Sequence, residues 1–250
     1  MNVGLYQSAS ALNANARWQE AIAENLASSS VPGFRKQDLT FGAVEAGMLG
    51  DFTVRNPQGP QHFSIPNSQN VTNFRPGELR FTGQTTDIGI QGNGFFEVQL
   101  PDGSSAFTRS GEFAVNPQGQ LVTKQGYAVL GDAGPIQLDP RNSAPISVSP
   151  TGEISQGVDM KGKLKLTEFD VPSKLTSLNG ELFVADDPAL NATPSTTGSV
   201  RQGWLESANT SAVAEMANLL AAMRSFEANQ RAVQIQDERM SKIINTVESN

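Results

Sequence analysis

After Gly203 the chain contains neither glycine nor proline, and its apolar side chains recur on an alternating four–three spacing. The series runs Ala212, Met216, Leu219, Met223, Phe226, Val233, Met240, Ile244 and Val247, with Gln230 and Asp237 as its only polar members. Such spacing draws one seam along a helix. Glu227 with Arg231 and Glu238 with Lys242 add i,i+4 pairs in the favourable order, and Asn209, Thr210 and Ser211 offer N-cap side chains. The sequence therefore predicts one helix over 211–248. The front of the chain repeats the pattern with Leu5, Ala9, Leu12, Ala16, Ala23 and Leu26, interrupted at Gln19. This predicts a helix over 5–27. It ends at Ser28–Gly33, where Pro32 disfavours helix in Val31 and Gly33 can turn the chain.

Between the helices the pattern changes twice. Residues 31–85 are rich in Gly, Pro, Asn and Gln without a sustained period, which predicts an extended connector with short strands. From Asp87 onward Ile88, Ile90, Phe96, Val98 and Leu100 alternate with polar or glycine positions, as do Phe113 and Val115. Pro101-Asp102-Gly103, Pro117-Gln118-Gly119 and Pro150-Thr151-Gly152 are turns of one chemistry, proline presetting φ and glycine accepting the positive φ at the end. Short strands in succession predict an antiparallel β domain. The fold class expected is α+β, with long N- and C-terminal helices pairing as a coiled-coil-like assembly domain around a central antiparallel β domain. The expected division is 1–30 assembly helix, 31–85 connector, 86–206 β domain and 207–250 assembly helix.

Composition removes most chemistries. A chain of 250 residues without cysteine has no disulfides, thiolate metal sites or cysteine nucleophile. A single histidine, His62, excludes multi-histidine metal sites and reads as an ordinary loop residue. The net charge of −7, with no clustered Lys and Arg, argues against nucleic acid. No stretch reaches the roughly 20 apolar residues of a membrane helix, and residues 1–16 lack the basic and apolar blocks of a cleaved secretory signal. Gly92-Asn93-Gly94 lacks the third glycine of a dinucleotide loop, since Glu97 stands there, and reads as a tight β connection. Asp186 and Asp187 are neighbours on an extended chain and face opposite ways, so they make a poor catalytic carboxylate pair and read as a solvated turn. No catalytic, cofactor-binding or metal-binding residue is expected, and no small-molecule substrate.

The two seams remain. An isolated helix pair is marginal in water, and the alanine-rich front seam buries little area per residue while letting helix backbones approach closely. Packing against the same helices of neighbouring subunits would complete it. The terminal seams are thus expected to be an assembly interface, with Leu219 buried only between subunits and Glu215 outside the seam.

The motifs of this chain resemble those of the flagellar rod and hook basal-body proteins. Ala11-Leu12-Asn13-Ala14, then Ile22-Ala23-Glu24-Asn25-Leu26-Ala27 and Pro32-Gly33-Phe34-Arg35 are similar to that family's N-terminal signature, with Ser28 and Val31 departing from it. Asp87 to Phe96, including Gly92, Gly94, Phe95 and Phe96, Phe107-Thr108-Arg109-Ser110-Gly111 and Asn116 to Val122 fit its middle. Gln202-Gly203-Trp204-Leu205-Glu206-Ser207, Glu215-Met216 and Arg224-Ser225-Phe226-Glu227-Ala228-Asn229 resemble its C-terminal signature. Within the family, Gly131 to Ile136, Gly162 to Leu166 and Gly180 to Phe183 look most like the proximal-rod branch, with a distal-rod or hook-type paralogue as the alternative.

The resemblance implies a non-enzymatic axial subunit that polymerises through its terminal helices and transmits torque. Its implied partners are copies of itself, other rod proteins and the flagellar type III export apparatus. Its implied place is the rod crossing the periplasm, reached without a cleaved signal peptide and without membrane insertion. Two readings from other classes stand beside it. A rod-associated peptidoglycan-acting enzyme would need a carboxylate pair in a cleft, and a secreted adhesin would not need matched seams at both ends.

Overall fold

In the computed structural model, which describes residues 3–48, 62–178, 180–187 and 190–248, the three Pro-x-Gly turns share one geometry. In each, the glycine N–H donates to the carbonyl three residues back, Gly103 to Leu100, Gly119 to Asn116 and Gly152 to Ser149, all at 2.9 Å. That same earlier residue then donates to the residue after the glycine, again at 2.9 Å, which closes the hairpin around a glycine of positive φ. Lys124-Gln125-Gly126 makes the same turn without a proline, Gly126 donating to Thr123 and Thr123 to Tyr127.

The elements in chain order are α1 (Val3–Ala27), β1 (Gln37–Met48), β2 (His62–Thr72), β3 (Leu79–Phe81), β4 (Ile88–Gln91), β5 (Phe95–Gln99), β6 (Ser105–Thr108), β7 (Phe113–Val115), β8 (Leu121–Thr123), β9 (Ala128–Gly131) and β10 (Gly134–Pro135). There follow β11 (Ile146–Val148), β12 (Glu153–Gln156), β13 (Asp159–Lys163), β14 (Leu166–Phe169), β15 (Thr176–Leu178), β16 (Leu182–Val184), β17 (Ala192–Pro194), β18 (Ser199–Gln202), β19 (Trp204–Glu206) and α2 (Ala212–Glu248). They divide into two units. One holds residues 1–26, 37–71 and 212–250, and the other 27–36 and 72–211.

The second unit is built on β5. Its consecutive Phe95 and Phe96 point to opposite faces, because side chains alternate along a strand, and both are buried. Phe96 and Val98 join Ile88, Val129, Ile154 and Leu164 in one core, while Phe95 joins Phe107, Phe169, Leu175 and Phe183 in a second. The main sheet runs β15-β16-β6-β5-β9-β8-β7, with β10 beside β9, β14 beside β5 and β17 beside β14. A three-stranded sheet β11-β12-β13 and the pairs β18-β4 and β19-β3 complete the unit, and these pairings are antiparallel. Gln202 joins three of these parts. Its amide donates to the carbonyls of Thr85 (2.7 Å) and Ile146 (2.9 Å) and accepts from the Val148 N–H (3.1 Å).

In the first unit α1 and α2 share their packing with the two-stranded ribbon β1-β2. The expectation of long helices pairing as a coiled-coil-like assembly domain is therefore corrected, since no long coiled coil forms among the described residues. The reason lies in which positions turn inward. Among the described side chains of α1 the buried ones are Ala14, Asn15, Ala21, Ile22 and Asn25, a band two columns wide that carries two asparagines. A coiled-coil seam is narrower and apolar. The band meets the ribbon through polar contacts: Arg17 Nη1 donates to the Ser68 carbonyl of β2 (3.1 Å), and Asn25 pairs with Gln37 of β1.

The Asn25 contact carries a prediction. Its Nδ2 donates to the Gln37 carbonyl at 2.8 Å and its Oδ1 accepts the Gln37 N–H at 2.7 Å, with both residues buried. Asn25→Ala removes both of these buried hydrogen bonds, at about 1–3 kcal/mol each. Urea unfolding followed by Trp18, which lies in α1, should move to clearly lower denaturant in a Trp204→Phe background.

Candidate functional site

One carboxylate organises the segment in which the N-terminal and C-terminal motifs meet. Glu206, at the end of β19, is 1% exposed. Its Oε1 accepts from Arg35 Nη2 at 2.6 Å and from the Gly77 N–H at 2.7 Å, and its Oε2 accepts from Arg109 Nη1 at 3.2 Å. Its backbone carbonyl takes the N–H of Gly33 at 2.7 Å. Arg109 also donates from Nη2 to the Gly92 carbonyl (2.8 Å) and lies 5.3 Å from the centre of the Phe95 ring.

The glycines are there because backbone passes close by. A Cβ on Gly33, whose φ is +72°, would lie 2.3 Å from the Ser110 nitrogen, and one on Gly77 would lie 2.0 Å from the Ser207 carbonyl oxygen. Phe34 is fully buried beside them. Asn209 ties the same region: its Oδ1 accepts the Lys36 N–H, and its Nδ2 donates to the carbonyls of Asn73 and Arg75. Asn209 thus fastens loops rather than capping α2.

Two guanidiniums share one carboxylate here, and Arg35 Nε, Arg35 Nη1 and Arg109 Nε have no hydrogen-bond partner in the protein. Burial pushes the Arg109 pKa down to about 10, with Glu206 opposing the shift and Arg35 adding to it. A base whose folded pKa lies below its unfolded value costs stability in full at neutral pH, and that cost fades only as pH rises above about 10. Arg109 therefore stays charged at neutral pH. The triad selects one arrangement of the chain more than it adds net stability.

Beside the triad lies a cleft of about 310 Å³, lined by Pro32, Arg80, Ser110, Glu112, Lys124, Gln125, Glu181 and Leu205 among others. Its two carboxylates are engaged: Lys124 Nζ sits 3.1 Å from Glu112, and the Gln125 amide donates to Glu181. No cluster suited to a metal ion occurs among the described residues. Asp187 pairs with Lys174 at 3.3 Å and Asp186 is exposed. His62 opens β2, and its side chain lies outside the described residues.

The structure distributes the sequence-derived seam over more than one surface. Among the described side chains of α2 the inward positions are Ala212, Glu215, Leu219, Ala222, Ser225, Phe226, Asn229 and Val233, with Glu215 and Ala222 buried and the others half-buried. Ala212, Leu219, Phe226 and Val233 are common to the seam, whereas Met216 and Met223 are exposed. On α1 Ala9 and Ala23 are exposed and Leu12, Ala16 and Leu26 half-buried. The side chains of Leu5, Met240, Ile244 and Val247 lie outside the described residues. Glu215, taken from sequence as outside the seam, is 3% exposed on the inward face and accepts from Asn218.

Of the motif residues, Gly33, Phe34, Gly94, Phe95, Phe96, Gly203, Leu205 and Glu206 are buried, Pro32 is half-buried, and Gly92, Arg224 and Glu227 are exposed. Sequence reasoning quoted Arg35 and Arg109 inside motifs but did not join them to Glu206. The available signal was a single charged residue in each of three stretches otherwise rich in glycine and apolar residues.

A second apolar stripe runs along the outside of α2. Val213, Met216, Leu220 and Met223, spaced three and four residues apart, are all exposed, Leu220 at 60% and Met216 at 54%. The same helix therefore carries an inward face, already covered, and an outward apolar face with nothing against it among the described residues.

Comparison with known proteins covers nearly the whole chain. The profile of the flagellar hook protein FlgE/F/G D1 domain matches residues 89–156, and that of the flagellar basal body rod FlgEFG protein C-terminal region matches residues 201–246. The flagellar basal-body rod protein FlgG of Buchnera aphidicola subsp. Baizongia pistaciae is 31% identical, over 89% of this chain and 91% of that protein. The flagellar basal-body rod protein FlgF of Escherichia coli K12 is also 31% identical, over 97% of each chain. FlgF of Caulobacter vibrioides is 32% identical over 83% of this chain and 82% of its own length.

Proposed function

Because the chain belongs to the flagellar basal-body rod protein family, and so is a structural component of the flagellar rod, we propose that it polymerises through its terminal helices, as the proximal component, and carries torque along the rod. The observation that supports this is the outward stripe of α2, Val213, Met216, Leu220 and Met223. A helix whose inward face is already covered has no use for a second apolar face in a single copy, and such a face is what a neighbouring helix covers in an assembly. The partners in this reading are copies of the chain and other rod proteins. The export apparatus delivers the chain unfolded, for which a protein without disulfides is suited, and its final place is the rod where it crosses the periplasm. No helix among the described residues is long and apolar enough to cross a membrane.

The proximal assignment is supported by the motifs Gly131 to Ile136, Gly162 to Leu166 and Gly180 to Phe183. Relatives named FlgG and FlgF are both similar to the chain, so the assignment is tested by position. Cells lacking the chain are complemented with a tagged copy, and gold label is located on isolated basal bodies. Label at the base of the rod, on the side of the inner membrane, is the expected result. Label next to the hook would reassign the chain to the distal rod.

An enzymatic reading has less support. The cleft beside the triad offers two carboxylates, each held by a neighbouring side chain, where glycan cleavage needs a free acid and a free base or nucleophile. Incubation with purified peptidoglycan should release no soluble fragments.

A further inference from the structure

The chain passes between the two units at 26/27, 36/37, 71/72 and 211/212. One side chain joins the segments at three of these passages. Asn209, two residues before Ser211, accepts the Lys36 N–H on Oδ1 at 2.7 Å and donates from Nδ2 to the Asn73 carbonyl at 2.7 Å. The Asn73 N–H in turn donates to the Lys36 carbonyl at 2.9 Å. These bonds close a ring in which each segment holds both of the others. The same segments are bonded again around it: Asn209 Nδ2 donates to the Arg75 carbonyl (3.0 Å), the Asn209 N–H to the Phe34 carbonyl (3.3 Å) and the Ser207 N–H to the Glu78 carbonyl (2.8 Å). An asparagine suits the place, because one planar amide offers an acceptor and two donors, whereas a carboxylate offers no donor.

The ring is a weak device for equilibrium stability. Lys36, Asn73 and Asn209 are all half-buried, and there a neutral hydrogen bond replaces one to water and gains little. Its placement has another consequence. A load delivered along the chain from the helices enters the second unit at the passages, and a lone segment under load peels away one bond at a time. Segments closed into a ring are loaded together, so several bonds must break before any one segment leaves. Forced unfolding is governed by that rate of rupture and not by the equilibrium.

We propose that Asn209 is a load-sharing clasp, a positioning residue that couples the passages at 36/37, 71/72 and 211/212. A pull on α2 is thereby spread over three segments of the second unit instead of unzipping β19 from β3. This rests on the torque-carrying role proposed above, and it names the residue at which the second unit takes up the load.

A chain without cysteine accepts handles at chosen sites. With Ser211→Cys and Val115→Cys, both exposed, an optical trap pulls the second unit through its exit to α2. With Val115→Cys and Leu178→Cys, also exposed, it pulls the same unit from β7 to β15 across the main sheet. At one fixed force Asn209→Ala should speed the step that frees residues 204–211 about tenfold, the effect of losing one to two hydrogen bonds, and should speed rupture across the sheet less than about twofold. Equal acceleration along both axes would mean that Asn209 only stabilises the unit, and no acceleration through Ser211 would mean that the ring carries no load. Either result overturns the clasp and leaves the rod reading standing. Hydrogen exchange of the unsubstituted chain gives a measure that needs no variant. The Lys36 and Asn73 amides should both exchange slowly, and rapid exchange of either would show that the ring is open and overturn the proposal. Absence of the chain from isolated basal bodies would instead defeat the rod reading, and with it the load that the clasp is proposed to share.

Discussion

Glu206→Gln should lower the unfolding transition reported by Trp204 by about 10 °C. The carboxylate is 1% exposed and is the shared anion of Arg35 and Arg109. The amide keeps the shape but loses the charge, and its NH2 end must point a donor at a guanidinium. Two buried cations then lack an anion, and breaking a buried pair from one side costs about 3–5 kcal/mol. For a unit of this size each kcal/mol moves the midpoint by roughly 2–4 °C. The measurement is made with Trp18→Phe, so that only Trp204, in β19, reports. Glu227→Gln, at an exposed position of α2, is the control and should leave the midpoint unchanged within about 1 °C, the usual size of a surface effect. A Glu206→Gln midpoint equal to the control would mean that the triad does not hold the junction.

The second large effect separates assembly from folding. Leu219 is half-buried on the inward face of α2, so Leu219→Asp would damage the helical unit itself and cannot serve as an assembly test. Glu215→Gln is equally unsuitable as a neutral control, because Glu215 is buried. The outward stripe supplies the right positions. Leu220 is 60% exposed, so Leu220→Asp leaves a hydrated charge on the free subunit and should change its stability by no more than about 0.5 kcal/mol. Against a neighbouring helix the same carboxylate is desolvated without a partner, a cost of several kcal/mol repeated at every subunit. Normal expression, an unchanged melting profile and loss of swimming are expected together. Met216→Asp should behave the same way, and swimming by both variants would remove the outward stripe from the interface.

What the sequence could and could not disclose follows from the range of each interaction. The Pro-x-Gly turns were legible because three residues contain all the information, and Lys124-Gln125-Gly126 escaped only because its first position lacks proline. The helices at the two ends were legible from their period. Which face turns inward was not, because the inward positions include Asn15, Asn25, Glu215 and Asn229, and a search for apolar repeats steps past polar residues that find buried partners. On α2 it chose Met216 and Met223 over their inward neighbours Glu215 and Ala222, which moved two of the six described apolar seam positions by one residue. The triad was out of reach for another reason. Arg35 and Glu206 are 171 residues apart, and Arg109 is 97 residues from Glu206. No local pattern links charges over such distances, so each motif showed one member and concealed its partners.

The central claim, that this chain is a rod subunit whose outward α2 face is covered by a neighbour, is tested most directly by a reconstruction of the basal body at side-chain resolution, from cells producing the chain. The account predicts density for the chain within the rod, with Val213, Met216, Leu220 and Met223 packed against a helix of an adjacent subunit. A rod in which the chain is present but that stripe faces open solvent would contradict it.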